Sequence, residues 1–164
     1  MVHTLTCARS FLKLPGAPNI PIQAIGLSLY EQLSGSDPVE APGTKVTRTQ
    51  WLDLSSLEMG NLIGKNVLIV DEVDDTRTTL EYAVRELEKD VETARKQQGR
   101  SDKTTFSIFV LHNKDKPKKG HLPADMMKED RYIAARTVSD VWICYPWEAQ
   151  DILEHDRLAE QKGA

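Results

Sequence analysis

Asn66-Val67-Leu68-Ile69-Val70-Asp71-Glu72-Val73-Asp74-Asp75-Thr76-Arg77-Thr78-Thr79-Leu80 is the stretch on which the fold of this chain is decided. Asn66 to Val70 predicts a compact buried strand, because four consecutive apolar, mostly β-branched residues favour a pleated conformation. The strand is expected to end in the acidic run Asp71–Asp75. A threonine-rich turn follows, and then Leu80, Tyr82, Ala83, Val84, Leu87 and Val91 fall on one side of a long helix. Strand, polar turn and helix in that order predict one half of a strand–helix–strand unit.

The flanking sequence extends the same alternation. Thr105 to His112 reads as a second strand and Asn113 to Gly120 as a lysine-rich loop. Tyr132–Ala135 and Val141–Cys144 read as short late strands, and Asp151–Gln161 as a polar terminal helix. Upstream, residues 4–14 have helical spacing that Pro15-Gly16 stops. Ile20–Tyr30 reads as a strand buried on both faces, residues 34–44 as a mobile surface loop dense in turn formers, and Val46–Leu54 as a returning strand. The expected class is α/β, with a mainly parallel sheet flanked by helices. In such sheets ligands sit beyond the carboxyl ends of the strands, where the acidic run falls.

Composition bounds the chemistry. The chain has 164 residues, with 21 Lys and Arg against 25 Asp and Glu, a formal net charge of −4. That length suits one domain, and the mild acidity argues against a general nucleic-acid or membrane-surface binder. No apolar run approaches the roughly 20 residues of a spanning helix. The first eleven residues lack the pattern of a secretory signal, and Cys7 and Cys144 make no Cys-x-x-Cys pair. The expectation is an intracellular, cytoplasmic protein with reduced thiols.

Several machines place acid at the end of an apolar strand. An ATPase needs a phosphate loop of the form G-x-x-x-x-G-K-[ST]; the segment Gly60 to Asn66 is one residue short and ends in Asn. A phospho-receiver needs an acceptor Asp on a later strand, where this chain has Leu111-His112-Asn113. An EF-hand needs alternating acids and a turn glycine, which Val73 and Asp75 do not provide. What remains is a sugar-phosphate site. Backbone N–H groups and Thr76, Thr78 and Thr79 at the helix start suit a phosphate, and Asp71 and Glu72 beside them suit hydroxyls or a metal.

The run VLIVDEVDDTRTTL resembles the phosphoribosyl-pyrophosphate (PRPP) motif of type I phosphoribosyltransferases, and most specifically the fungal hypoxanthine-guanine and xanthine-guanine enzymes. Supporting stretches are Leu27-Ser28-Leu29-Tyr30-Glu31, Arg48-Thr49-Gln50-Trp51, Gly64-Lys65-Asn66, Phe109–His112 with Lys114–Lys119, and Trp142 through Pro146-Trp147-Glu148. The resemblance covers the chain from about Ala8, so residues 1–164 are expected to form one phosphoribosyltransferase domain with a small hood. Nothing in residues 1–14 matches the family's N-terminal strand and pyrophosphate loop, so that domain is expected to be incomplete at its N-terminus.

The resemblance implies transfer of the phosphoribosyl group of PRPP to hypoxanthine, guanine or xanthine, giving IMP, GMP or XMP plus pyrophosphate, with Mg²⁺ as cofactor and a possible homodimer. The alternative is a catalytically inactive nucleotide-binding or regulatory homologue. Asp71 and Glu72 match the residues that bind the ribose hydroxyls, directly or through Mg²⁺. Asp75 matches the proposed general base, with an N-cap as its plainer role, and Asp75 to Thr79 match the cradle of the 5′-phosphate. Arg77 stands where many relatives have Gly and reads as tolerated. Lys114 matches the lysine that reads the purine 6-oxo group, with Lys116 as rival. Trp142 matches the aromatic that stacks on the base, against plain core packing. Glu148 matches an acid associated with a second Mg²⁺, against a surface ion pair. Ser28 and Tyr30 match the start of the loop that covers the site.

Overall fold

In the computed structural model, described over residues 13, 15–16, 20–30, 45–52 and 62–162, the central feature is a parallel three-stranded sheet. Its strands are β3 (Asn66–Asp74), β4 (Thr105–Lys114) and β5 (Tyr132–Val138), in the spatial order β3-β4-β5. A second, antiparallel pair joins β1 (Gly26–Tyr30) to β2 (Lys45–Gln50).

The crossover from β3 to β4 is helix α1 (Thr78–Gln97). Its buried residues Leu80, Ala83, Val84, Leu87, Val91 and Ala94 recur every three or four positions, which gives one apolar stripe. That stripe packs with Phe106, Ile108 and Val110, the alternate buried residues of β4, and with Ile63 and Met126. Gly99 ends the helix with φ of 61°. Its N–H bonds the Lys96 carbonyl at 3.2 Å and the next N–H, of Arg100, bonds the Arg95 carbonyl at 3.1 Å. This pairing of donors with the last-turn carbonyls needs a left-handed residue, and glycine takes that conformation without strain.

β2 is tied to α1 by charge. Arg48 pairs with Glu86 and, at 3.3 Å, with Asp90. Trp51 donates its indole N–H to the same Asp90 oxygen at 2.7 Å, and the Arg48 guanidinium lies 4.1 Å from the Trp51 ring. The antiparallel pair from which residues 31–44 depart is therefore anchored on the helix that carries the acidic turn.

The α/β class, the parallel sheet, the long helix and both of its flanking strands agree with the sequence reading. Four expectations change. β3 runs to Asp74 because its ladder with β4 continues through Asp71↔Val110 and Asp74↔Asn113. The upstream strand is only Gly26–Tyr30, and Ile20 and Ile22 are 39% and 37% exposed; Pro21 lacks the N–H a ladder needs. Val141–Cys144 forms no strand, and β5 extends to Val138 instead. A five-residue helix, α2 (Ala124–Lys128), lies between β4 and β5 and gives too short a pattern to read. The terminal helix α3 (Ile152–Lys162) is capped as its sequence suggests, with Asp151 accepting from the N–H groups of Leu153 and Glu154 at 3.0 and 3.2 Å. The helix over residues 4–14, the loop over 34–44 and the end of the returning strand lie outside the described residues.

Candidate active site

The parallel ladder delivers Asp71, Glu72, Asp74 and Asp75 to one edge of the sheet, opposite the end of β4 with Asn113 and Lys114. Side chains alternate along a strand, so neighbouring acids meet different surroundings.

Asp71 and Glu72 form an acidic pair. The Glu72 N–H donates to Asp71 Oδ1 at 3.0 Å, and Glu72 Oε2 is buried with no hydrogen-bond partner. Burial, a hydrogen bond with the Glu72 side chain and the charge of Glu72 push the Asp71 carboxyl up to about 7. A carboxyl pair with an unsatisfied buried oxygen offers an acceptor to hydroxyl donors or a divalent cation. Two adjacent carboxylates fit the hard-oxygen chemistry of Mg²⁺, which takes one or two such ligands together with substrate oxygens.

Behind the pair, Tyr145 is a buried strut. Its hydroxyl donates to the Glu72 carbonyl at 2.9 Å and lies 3.0 Å from His112 Nδ1. Because the tyrosine proton is committed to Glu72, Nδ1 of His112 carries a proton and donates to the hydroxyl. Burial, then the Arg136 charge, depress the His112 pKa, which keeps the ring neutral. Trp147 stacks on Tyr145 at 4.7 Å. Glu148 accepts from the Tyr145 N–H at 3.2 Å and so closes its own short 3-10 turn, Pro146–Glu148. Among the described residues, no group of three His, Cys, Asp or Glu side chains has the arrangement of a metal site.

The threonine turn follows. Arg77 precedes α1 with φ of 68°, a left-handed conformation unusual for a side chain of its size. No side chain caps the helix, so Asp75 is not its N-cap, and the first-turn N–H groups remain available to an anion. Thr76 and Thr78 hydroxyls lie 3.1 Å apart beside them. Arg77 is more than tolerated. Its guanidinium bonds Asp74 Oδ2 at 2.9 Å and lies 4.8 Å from the Tyr132 ring, while the Tyr132 hydroxyl donates to the same oxygen at 2.6 Å.

The loop after β4 folds against this turn. Lys119 and Gly120 both donate backbone N–H groups to the Thr76 carbonyl at 3.0 Å. A Cβ on Gly120 would stand 2.5 Å from the Arg77 carbonyl oxygen and 2.9 Å from the Thr78 nitrogen. Glycine is required here by close approach. Gly120→Ala is expected to displace the turn and weaken GMP binding at least tenfold, while the helix content by circular dichroism stays unchanged; titration calorimetry on the folded variant checks this.

Two lysines complete the edge. Lys116 lies 2.7 Å and Lys114 3.5 Å from Asp75, and both reach Asp140 on the other side, at 3.0 and 3.5 Å. Burial opposes ionisation of Asp75, but the Lys116 contact and the Lys114 charge outweigh it and hold its carboxyl below the usual range. Trp142 is 90% exposed, which excludes core packing and leaves its face free as a platform. Ser28 and Tyr30 lie in β1, paired with Thr47 and Lys45.

The sequence reading missed Asp74, Lys118, Gly120, Tyr132 and Tyr145. Asp74 fell at a variable position of the motif and Lys118 inside a lysine run. Lys-Gly followed by His-Leu-Pro was the only local sign of a turn at Gly120.

Comparison with known proteins agrees with this architecture. No family model matches the chain. The chain is 61% identical over 158 residues to xanthine phosphoribosyltransferase 1 of Saccharomyces cerevisiae, covering 94% of this chain and 76% of that protein. It is 58% identical over 156 residues to hypoxanthine-guanine phosphoribosyltransferase of Schizosaccharomyces pombe, covering 94% and 75%. It is 56% identical to the S. cerevisiae protein of that same name, covering 94% and 73%. A crystal structure of a hypothetical protein from Neisseria gonorrhoeae with bound ppGpp superposes with a TM-score of 0.66 at 40% identity, covering 87% of this chain and 69% of that one. With a carboxylate pair, a threonine turn and a lysine pair on one sheet edge, and with identity of this extent, the chain belongs to the hypoxanthine-guanine and xanthine phosphoribosyltransferase family.

Proposed function

We propose that the chain is a purine-salvage enzyme that transfers the phosphoribosyl group of PRPP to a 6-oxopurine, giving the nucleoside monophosphate and pyrophosphate. The observation that carries the reading is the meeting of acid pair, threonine turn and lysines at the ends of β3 and β4. The C1′–oxygen bond to pyrophosphate breaks, a C1′–nitrogen bond to the base forms, and the base loses a proton.

Each group has a part in that reaction. The first-turn N–H groups and the hydroxyls of Thr76, Thr78 and Thr79 hold the 5′-phosphate. Asp71 and Glu72 take the ribose hydroxyls, and the unpartnered Glu72 oxygen is the acceptor nearest to hand. Asp75 accepts the proton of the imidazole nitrogen. Lys114 donates to the 6-oxo group, and Trp142 offers its ring to the base. Mg²⁺, held by Asp71 and Glu72, would supply positive charge to the oxygens of the sugar and of the leaving pyrophosphate. Ser28 and Tyr30, which pair with Thr47 and Lys45, stand where the resemblance puts the start of the family's flexible loop.

The same reading extends to the cell and the assembly. No described helix is long and apolar enough to cross a membrane. We propose that the enzyme acts in the cytoplasm as a homodimer, without nucleic acid or membrane. The whole chain, residues 1–164, is taken as one phosphoribosyltransferase domain.

The direct test is GMP formation from guanine and PRPP with saturating Mg²⁺, followed by chromatography. Nucleotide above a no-enzyme control supports transfer. Protection from heat by GMP without any turnover would instead favour the inactive nucleotide-binding homologue. Lys114→Ala is expected to raise KM for guanine about tenfold or more and leave KM for PRPP within about threefold, since one hydrogen bond to a charged donor is lost. If Lys116→Ala gives that pattern and Lys114→Ala does not, the base-reading role moves two residues along.

A further inference from the structure

Lys118 has no part in the transfer described above, and its surroundings are unlike those of its neighbours in the lysine run. Its ammonium donates to three backbone carbonyls, those of Asp74, Asp75 and Lys114, each at 2.8 Å. Those three bonds use every proton the ammonium has. It also stands 3.6 Å from Asp74 Oδ1, and its side chain is only 15% exposed. Two of the carbonyls end different strands and the third lies just beyond one of them. Asp74 closes β3, Asp75 opens the phosphate turn, and Lys114 closes β4. The ladder between these strands makes its last pairing at Asp74↔Asn113, so beyond it nothing in the sheet holds the two ends in register.

We propose that Lys118 is a positioning residue that locks the 5′-phosphate turn and the base-reading end of β4 at a fixed separation, so that one nucleotide reaches both at once. The inference rests on the transferase reading for the identity of the ligand. The geometry supports it in two ways. Charged donors to neutral carbonyls are among the stronger hydrogen bonds, and losing all three together frees both strand ends. The contact also joins the two recognition elements directly. Burial lowers the Lys118 pKa even though Asp74 opposes it, which fits an ammonium committed to protein groups in place of water.

The test compares two ligands on folded protein by titration calorimetry. GMP spans both elements, whereas ribose 5-phosphate reaches the phosphate turn and the acid pair but not the base-reading end of β4. Lys118→Met keeps much of the chain's bulk and removes the donors. It is expected to weaken GMP at least tenfold and ribose 5-phosphate by a clearly smaller factor, because only GMP needs the separation. Lys118→Arg, which keeps charge and donors, is expected to recover part of the GMP loss. Lys128→Met on α2 serves as control and binds both ligands as the parent does. A merely structural lysine would lower the melting temperature and leave the affinities of the folded variant unchanged, and that result overturns the proposal. So does an equal loss for both ligands, or no recovery with arginine. If Lys118→Met does not fold, Lys118→Gln is judged by the same ratio of losses. A parent chain that binds GMP but forms none refutes transfer and leaves this assignment standing; one that binds no GMP refutes both.

Discussion

Asp74→Ala is expected to lower the melting temperature by about 6–20 °C, the equivalent of about 3–5 kcal/mol in a domain of this size. The carboxylate is fully enclosed, with none of its side chain exposed. Oδ2 accepts from Tyr132 at 2.6 Å and from Arg77 at 2.9 Å, and Oδ1 faces Lys118 at 3.6 Å. Removing it strands two cations and a phenol in a space they were arranged to share. Breaking a buried pair from one side is costlier than exchanging the whole pair for apolar groups, because the remaining charge keeps its desolvation penalty. Arg77 would also keep its left-handed backbone without the contact that holds it there.

The size of that loss separates two views of Asp74. As an ordinary acid at the end of a strand it would cost less than about 1 kcal/mol, the scale of exposed ion pairs. As the hub of Arg77, Tyr132 and Lys118 it behaves as a unit, and Asp74→Ala combined with Tyr132→Phe should lose less than the sum of the two single variants. Differential scanning calorimetry on the three proteins measures both quantities. Additive losses, or a shift under about 2 °C for Asp74→Ala, would remove the hub from the account.

This hub also marks where the sequence stops being readable. The strand and helix around Asp75 were legible because Val67–Val70 and the Leu80–Val91 spacing carry the two periodicities undiluted, and the threonine turn between them has few other uses. The threonine turn and the acid pair are contiguous in sequence, so their place at the end of the strand and start of the helix could be read. Asp74 could not be read this way, because its partners lie 44 and 58 residues away in Lys118 and Tyr132, and nothing local marks a carboxylate that points inward. Arg77, read as tolerated, bonds Asp74 three residues away, while its ring contact with Tyr132 comes from a distant strand and is invisible locally. Lys118 lay among Lys114, Lys116 and Lys119, where composition suggests a solvated loop. Val141–Cys144 failed differently. Its apolar residues resemble a strand, yet the segment instead delivers Tyr145 under Glu72 and leaves Val141 and Trp142 at the surface, 52% and 90% exposed. Packing decides such short runs, and no periodicity reports it.

Asp75→Asn is expected to lower kcat by about 100- to 10,000-fold, the range for removing a general base, with GMP affinity within about threefold of the parent. The two halves of the prediction come from different parts of one residue. The Asp75 backbone carbonyl accepts from Lys118 at 2.8 Å, and an asparagine retains it, so the phosphate turn is undisturbed. The side chain sits 2.7 Å from Lys116 and 3.5 Å from Lys114, and these cations, against the effect of burial, hold its pKa down. An acid with a lowered pKa is fully ionised at neutral pH, and the acidic limb of kcat/KM should therefore not arise from Asp75 in the free enzyme. A lowered pKa also makes a poor base. On the proposed reading, a 6-oxo group that drew Lys114 away would remove part of the charge holding Asp75 acidic and so would raise its basicity when the imidazole proton must leave. Single-turnover rates with guanine, set beside GMP affinity from calorimetry, separate the two effects. A loss of kcat below tenfold would transfer the proton to another acceptor, and a parallel loss of GMP binding would make Asp75 a binding group before a base.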